Sequence, residues 1–169
     1  MFKNKYFMTK EHGQYLRAIE PTHQTGEGWC GPASLFVALR ALGIETDQDT
    51  IAKTVDDING GMSWVEMENA ARLLGCAVFR DKESSYDHLL DAHYETGLPI
   101  IVAWMSDRDG EPGAHFSVIK RMNMRSITLA DPEYQDFVTY SQPDFMEKWR
   151  DEETQRAYMI VFPPETTGV

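Results

Sequence analysis

Apolar residues fall at helical spacing through most of the first hundred positions of this chain and alternate with polar ones through most of the last fifty. From Cys30, the residues Leu35, Phe36, Leu39 and Leu42 recur near one face, Pro32 stands in the first turn and Gly43 offers a stop. This pattern predicts a buried helix that opens at or beside Cys30. A short amphipathic helix is predicted from Thr46 or Asp47, carrying Ile51, Ala52 and Val55 and ending before the turn signal Asn59-Gly60-Gly61. Ser63 and Glu66 have capping-box spacing ahead of Trp64, Met67, Ala70, Ala71 and Leu74, and Gly75 closes that helix. Residues 76–80 read as a short strand, 85–96 as a helix closed by Gly97, and 99–105 as a buried strand. Beyond a polar loop at 106–113, residues 115–121, 126–130, 137–140 and 157–162 alternate as strands, interrupted by a short helix at 144–150. Helices followed by a mainly antiparallel sheet make the α+β class, with a cleft expected where the two halves meet.

Composition narrows the function classes. A chain of 169 residues, 42% apolar and 25% charged, is expected to form a single domain that needs neither disulfides nor metals to bury a core. With 27 acidic residues against 16 basic ones, the charge of -11 repels a phosphate backbone and argues against nucleic acid as a partner. The first twenty residues lack the apolar core of a signal peptide, and the longest apolar stretches, 99–105 and 158–164, fall far below the ~20 residues of a membrane helix. The expectation is a soluble, cytoplasmic protein. Cys30 and Cys76 have no C-x-x-C spacing, so neither zinc nor redox work is indicated, and no cofactor is called for.

The chemistry concentrates between Gln24 and Leu35. A glycine-bearing loop delivers Cys30 to the start of an apolar helix, where free N–H groups and the helix dipole favour a thiolate and can hold an oxyanion. Gly28 and Gly31 are expected to leave room for a substrate backbone. A base is offered by His115 at the start of one hairpin strand, with Asp131 at the end of the next. If the turn centres on Asn123, His115 lies directly opposite Asp131, and the carboxylate can hold one imidazole nitrogen while the other faces the thiol. A slip of one residue would put the two on opposite faces. Gln24, six residues before the cysteine, is placed to turn its amide toward the oxyanion. Each residue also has a plainer explanation: Cys30 as a small buried helix-start residue, His115 as a strand histidine bonded to a carbonyl, Asp131 as an Asp-Pro turn, Gln24 as an exposed loop residue. His12, His23, His88 and His93 have no cysteine nearby in a suitable element, Cys76 reads as core, and Trp29 and Trp104 as packing residues that also suit a cleft wall.

With Gln24, Cys30-Gly31-Pro32-Ala33-Ser34-Leu35, the 61–75 helix pattern, the strand at 99–102, His115-Phe116-Ser117-Val118-Ile119 and Ala130-Asp131-Pro132 in that order, the chain resembles the bacteriocin-processing cysteine peptidases that remove double-glycine leaders. The resemblance runs from about Gln24 to Pro163. It implies a papain-like α+β fold and thiol acyl-enzyme chemistry on an amide substrate, with Cys30 as nucleophile, His115 as base, Asp131 as its orienter and Gln24 at the oxyanion. The best-known members are domains of ABC transporters, whereas this chain reads as a stand-alone relative acting on a peptide or protein substrate. Acyl transfer or deamidation uses the same residues, and a binding module on the same scaffold is the alternative from another class. The acidic balance suggests basic or neutral peptides. Residues 1–23 have no counterpart in the resemblance and are expected to add a strand or to lie across the cleft, and loop 106–113 is the expected lid.

Overall fold

The alternating runs pair into one six-stranded sheet, and helices cover both of its faces. The computed structural model describes residues 10–108, 113–150, 152 and 154–165. In chain order the elements are α1 (Lys10–Arg17), α2 (Cys30–Ala41), α3 (Gln48–Ala52), α4 (Trp64–Leu73), β1 (Ala77–Asp81), α5 (Tyr86–Thr96), β2 (Ile100–Ser106), β3 (Gly113–Met122), β4 (Ser126–Asp131), β5 (Asp136–Ser141), α6 (Gln142–Lys148) and β6 (Tyr158–Phe162). The strand order is β1-β6-β2-β3-β4-β5, with every pairing antiparallel.

The α+β class is thus observed, with one change of plan. The halves do not simply stack, because β1 leaves the helical half to pair with β6 at the far edge, and α5 and α6 cover the face opposite α2 and α4. The two-residue period of β2 explains how one strand serves two cores. Ile101 packs with Leu35, Leu39 and Met67 on one side, while Ile100, Val102 and Trp104 pack with Leu89, Phe145 and Trp149 on the other. No helix among the described residues is long and apolar enough to cross a membrane.

Local signals act as their chemistry dictates. Ser63 and Glu66 form the reciprocal capping box of α4, and Gly97 adopts a left-handed φ of 59° to close α5. The α3 helix stops at Ala52, short of Val55, because the chain tightens to i→i−3 bonds at Thr54 and Val55. The described part of the N-terminal extension carries a helix, α1, where a strand was expected, and does not cover the cleft. Leu16 and Ile19 sink into the α2 side of the core, and Lys120 Nζ donates to the carbonyls of Arg17 and Ile19 at 3.1 and 2.8 Å. A cation on the last carbonyls of a helix opposes their exposed negative end.

That same Lys120 decides the register of the β3–β4 hairpin. The turn centres between Met124 and Arg125, not on Asn123, since Met122 pairs with Ile127 and Arg121 with Thr128. Asn123 Oδ1 accepts from the N–H groups of Arg125 and Ser126 and fixes this turn. Carried on unbroken, this register would put His115 and Asp131 on opposite faces. A β-bulge between Ile119 and Arg121 takes up Lys120, after which Ile119 pairs with Leu129 and Val118 with Ala130. Asp131 then falls level with Ser117, so His115 lies diagonal to it on the same face, where direct opposition was expected.

One buried group in the α5 layer has a consequence for stability. His93 is 2% exposed, and its Nδ1 has no hydrogen-bond partner among the described residues. Burial pushes it down to about 4. Between pH 6.5 and pH 4 the unfolded chain therefore binds a proton there that the folded chain refuses, and stability falls as pH falls through this window. We expect a loss of about 2 to 3 kcal/mol between pH 7 and pH 4.5, read by urea unfolding, with a flatter pH slope in His93→Leu.

Candidate active site

The start of α2 differs from the starts of the other measured helices. Asp47, Ser63, Ser85 and Ser141 cap α3 to α6 with their side chains, whereas Trp29 precedes α2 with no side-chain cap. The first N–H groups of α2 are left open to a ligand, and Cys30 is the first residue of the helix. Gly28, at φ 73° with open space where a Cβ would be, supplies the left-handed step before it. Gly31 has a different role from the one expected. A Cβ there would stand 3.0 Å from Met62 Cβ, so its small size serves close packing against the 59–64 loop.

Gln24 is held in place by its neighbours. Its N–H donates to Pro132 O at 2.8 Å, and the side chain of Gln48, which the sequence did not single out, grips both sides of it. Gln48 Oε1 accepts from Thr25 N at 3.0 Å and Nε2 donates to His23 O at 2.8 Å. This loop therefore lies against the residue that follows Asp131. Gln24 Oε1 is buried without a partner among the described residues.

His115 Nε2 lies 2.7 Å from Asp131 Oδ1, and the Cys30 thiol stands beside the same imidazole and supports its charge. Trp104 sets its ring edge-on to the imidazole at 5.6 Å and donates from Nε1 to Ser117 Oγ at 3.0 Å. Trp104 is fully buried, so it acts as packing that also walls the histidine. Burial works against the imidazolium, yet the bonds and charges of Asp131 and Cys30 prevail and push His115 up to about 9. Asp131 is completely buried, which opposes its charge, but His115, Arg108 and the Glu133 N–H hold it below the ordinary carboxylate range.

Arg108 is the contributor that sequence reasoning missed. Its Nη1 donates to Asp131 Oδ2 at 2.6 Å, and the same guanidinium forks onto both oxygens of Asp136 at 2.8 and 2.7 Å while lying 4.2 Å from the centre of the Tyr134 ring. It belongs to the loop expected as a lid, whose residues 109–112 lie outside the described residues. The residues predicted from sequence come together. Gln24, Cys30 and His115 line a pocket of about 220 Å³, and Cys30 and His115 also line a cleft of about 670 Å³ running along Asn59 to Trp64, Ala103 and Phe116. His23 is exposed, His88 sits beside Asp81, the side chain of His12 lies outside the described residues, and Cys76 is core, where burial pushes its thiol up.

His115, Asp131 and Glu133 are close enough to hold a metal ion, but both oxygens of Asp131 are committed, Oδ1 to His115 and Glu133 N and Oδ2 to Arg108. The arrangement is instead suited to proton transfer between an imidazole and a thiol at the positive end of a helix.

No curated protein matches the sequence. Among solved structures, the fold is similar to the peptidase domain of Streptococcus ComA, a bifunctional ABC transporter of a quorum-sensing pathway. The TM-score is 0.68 at 18% identity, covering 86% of this chain and 98% of that one. It is also similar to a double-glycine-motif protease from an AMS/PCAT transporter, solved with its leader peptide, with a TM-score of 0.64 at 19% identity over 86% and 93%. The N-terminal peptidase C39-like domain of a toxin-secretion ATP-binding protein from Vibrio parahaemolyticus gives 0.60 at 14% over 80% and 97%. Because residues 18–156 also match the family model itself, the chain belongs to the peptidase C39 family.

Proposed function

We propose that this protein is a cysteine peptidase that cleaves a peptide amide bond through a thiol acyl-enzyme. The observation that carries the reading is His115 held between a fully buried Asp131 and Cys30 at an uncapped helix start. The Cys30 sulfur attacks the carbonyl carbon, and the oxyanion is received by the N–H groups at the start of α2 and by the Gln24 amide. The C–N bond breaks as the His115 imidazolium gives its proton to the leaving nitrogen. Water then attacks the thioester, yielding a proton to His115 and releasing a carboxylic acid and the thiolate. The larger cleft, with Gly60 and Gly61 on one wall and Phe116 on the other, offers an extended backbone a place to lie beside the sulfur. A relative of the same fold was solved with a leader peptide bound, which supports a peptide as the substrate class.

The test is the pH dependence of iodoacetamide alkylation, read by mass spectrometry at Cys30 and at Cys76 in the same molecule. Cys30 is expected to react much faster than Cys76 at pH 6. Peptide cleavage is expected to decline above about pH 9, as His115 loses the proton it must donate. Equal inertness of the two thiols up to pH 8 would remove the thiol mechanism and leave a binding module. Cys30→Ala is expected to keep the fold and lose all turnover.

A further inference from the structure

We propose that the 220 Å³ pocket beside Cys30 is a leaving-group subsite for a lysine-like side chain, with Glu27 and Glu133 as its anionic partners. The inference rests on the peptidase reading and deepens it. The carbonyl under attack has two substituents, and two cavities meet at Cys30 and His115. The long cleft of about 670 Å³ accommodates an extended acyl segment. The smaller one, with room for roughly seven waters at ~30 Å³ each, has space for one long side chain.

Its lining is rich in acceptors. Glu27 and Glu133 both face the pocket, and neither has a cation at salt-bridge distance among the described residues; the nearby Arg108 is fully engaged by Asp131 and Asp136. A carboxylate oxygen of Glu133 lies within 4.8 Å of a ring nitrogen of His115 and of an oxygen of Asp131, which sets a negative charge beside the leaving nitrogen. Ser106, only 6% exposed, lines the same pocket, and its hydroxyl has no partner among the described residues; Gln24 Oε1 is in the same condition. Half-buried Glu133 and exposed Glu27 set negative charge at this pocket, and the buried Ser106 and Gln24 oxygens beside it lack donors. An ammonium on a flexible apolar stem answers that charge with three donors while its stem fills the remaining depth. A divalent metal fits worse, because Asp131 has no free oxygen to ligate it.

The product that leaves this subsite is a free amine carrying the side chain, so lysinamide is a direct probe. We expect lysinamide to slow iodoacetamide alkylation of Cys30, while norleucinamide, which has the same α-amine and no ε-ammonium, does so at least tenfold less effectively. In the double variant Glu27→Gln and Glu133→Gln, half-protection is expected to need at least tenfold more lysinamide. Equal protection by norleucinamide, or undiminished protection in the double variant, overturns the subsite. If Cys30 proves inert to alkylation, the peptidase reading fails separately, and calorimetric binding of lysinamide to Cys30→Ala decides the pocket. Binding lost on adding the Glu27→Gln and Glu133→Gln changes supports it, and no binding refutes it.

Discussion

Changing His115 to alanine will slow iodoacetamide alkylation of Cys30 at pH 6 by about 10-fold and abolish peptide cleavage. A thiol left to itself, with a pKa near 8.5, carries about one thiolate in 300 at pH 6. Partial compensation by the greater intrinsic nucleophilicity of a more basic thiolate reduces the expected loss to the order of 10-fold. The imidazolium responsible is stable because Asp131 holds its Nε2 at 2.7 Å and pairs its charge out of reach of water. Cys76, buried in the α2 side of the core, keeps its rate in the variant and reports that the fold has survived. An alkylation rate at Cys30 within threefold of the parent protein would show that the histidine does not serve the thiol.

Asp131→Ala is the second large effect, and it will act on stability and chemistry together. The carboxylate accepts from His115, Arg108 and the Glu133 N–H with no exposure to solvent. Removing it strands buried donors, at a cost of about 3 to 5 kcal/mol in chemical unfolding. His115, left with burial unopposed by a carboxylate, will titrate lower, so the upper limb of the pH profile moves down and turnover falls on the order of 100-fold or more. Arg108→Ala gives the contrasting result. The His115–Asp131 bond remains, and loss of a neighbouring positive charge moves the same limb upward with a much smaller change in rate. Limbs that move in the same direction in the two variants would refute this account of how Arg108 positions Asp131.

Legibility in the sequence followed the range of the interaction. Ser63 and Glu66 announce α4 because a capping box is complete within four residues, and the residue types around Cys30 mark a helix start for the same reason. The expected meeting of His115 and Asp131 occurred, but through a register different from the one anticipated. The bulge at Lys120 is stabilised by carbonyls more than a hundred residues away, which no local pattern encodes. Arg108 was hidden likewise: its partners lie 23 and 28 positions on, and an arginine in an acidic loop looks like any solvated charge. In α1 only Tyr15 and Leu16 are apolar, so no amphipathic stripe betrays a helix that is held from outside by Lys120 and by the burial of Leu16 and Ile19.

The bulge also makes the β3–β4 hairpin a phase-sensitive device. Residues 115 and 131 share a face only because one surplus residue at 120 offsets the odd span of the turn. A single-residue change is therefore tolerated at the bulge itself, where it only removes the surplus, and length changes elsewhere between these positions are tolerated in steps of two. Deletion of Lys120 alone would only close the ladder, with Ile119 still level with Leu129. A lone deletion between Phe116 and Ile119 would instead send the imidazole and the carboxylate to opposite sides of the sheet and turn the strand ahead of it to the wrong layer.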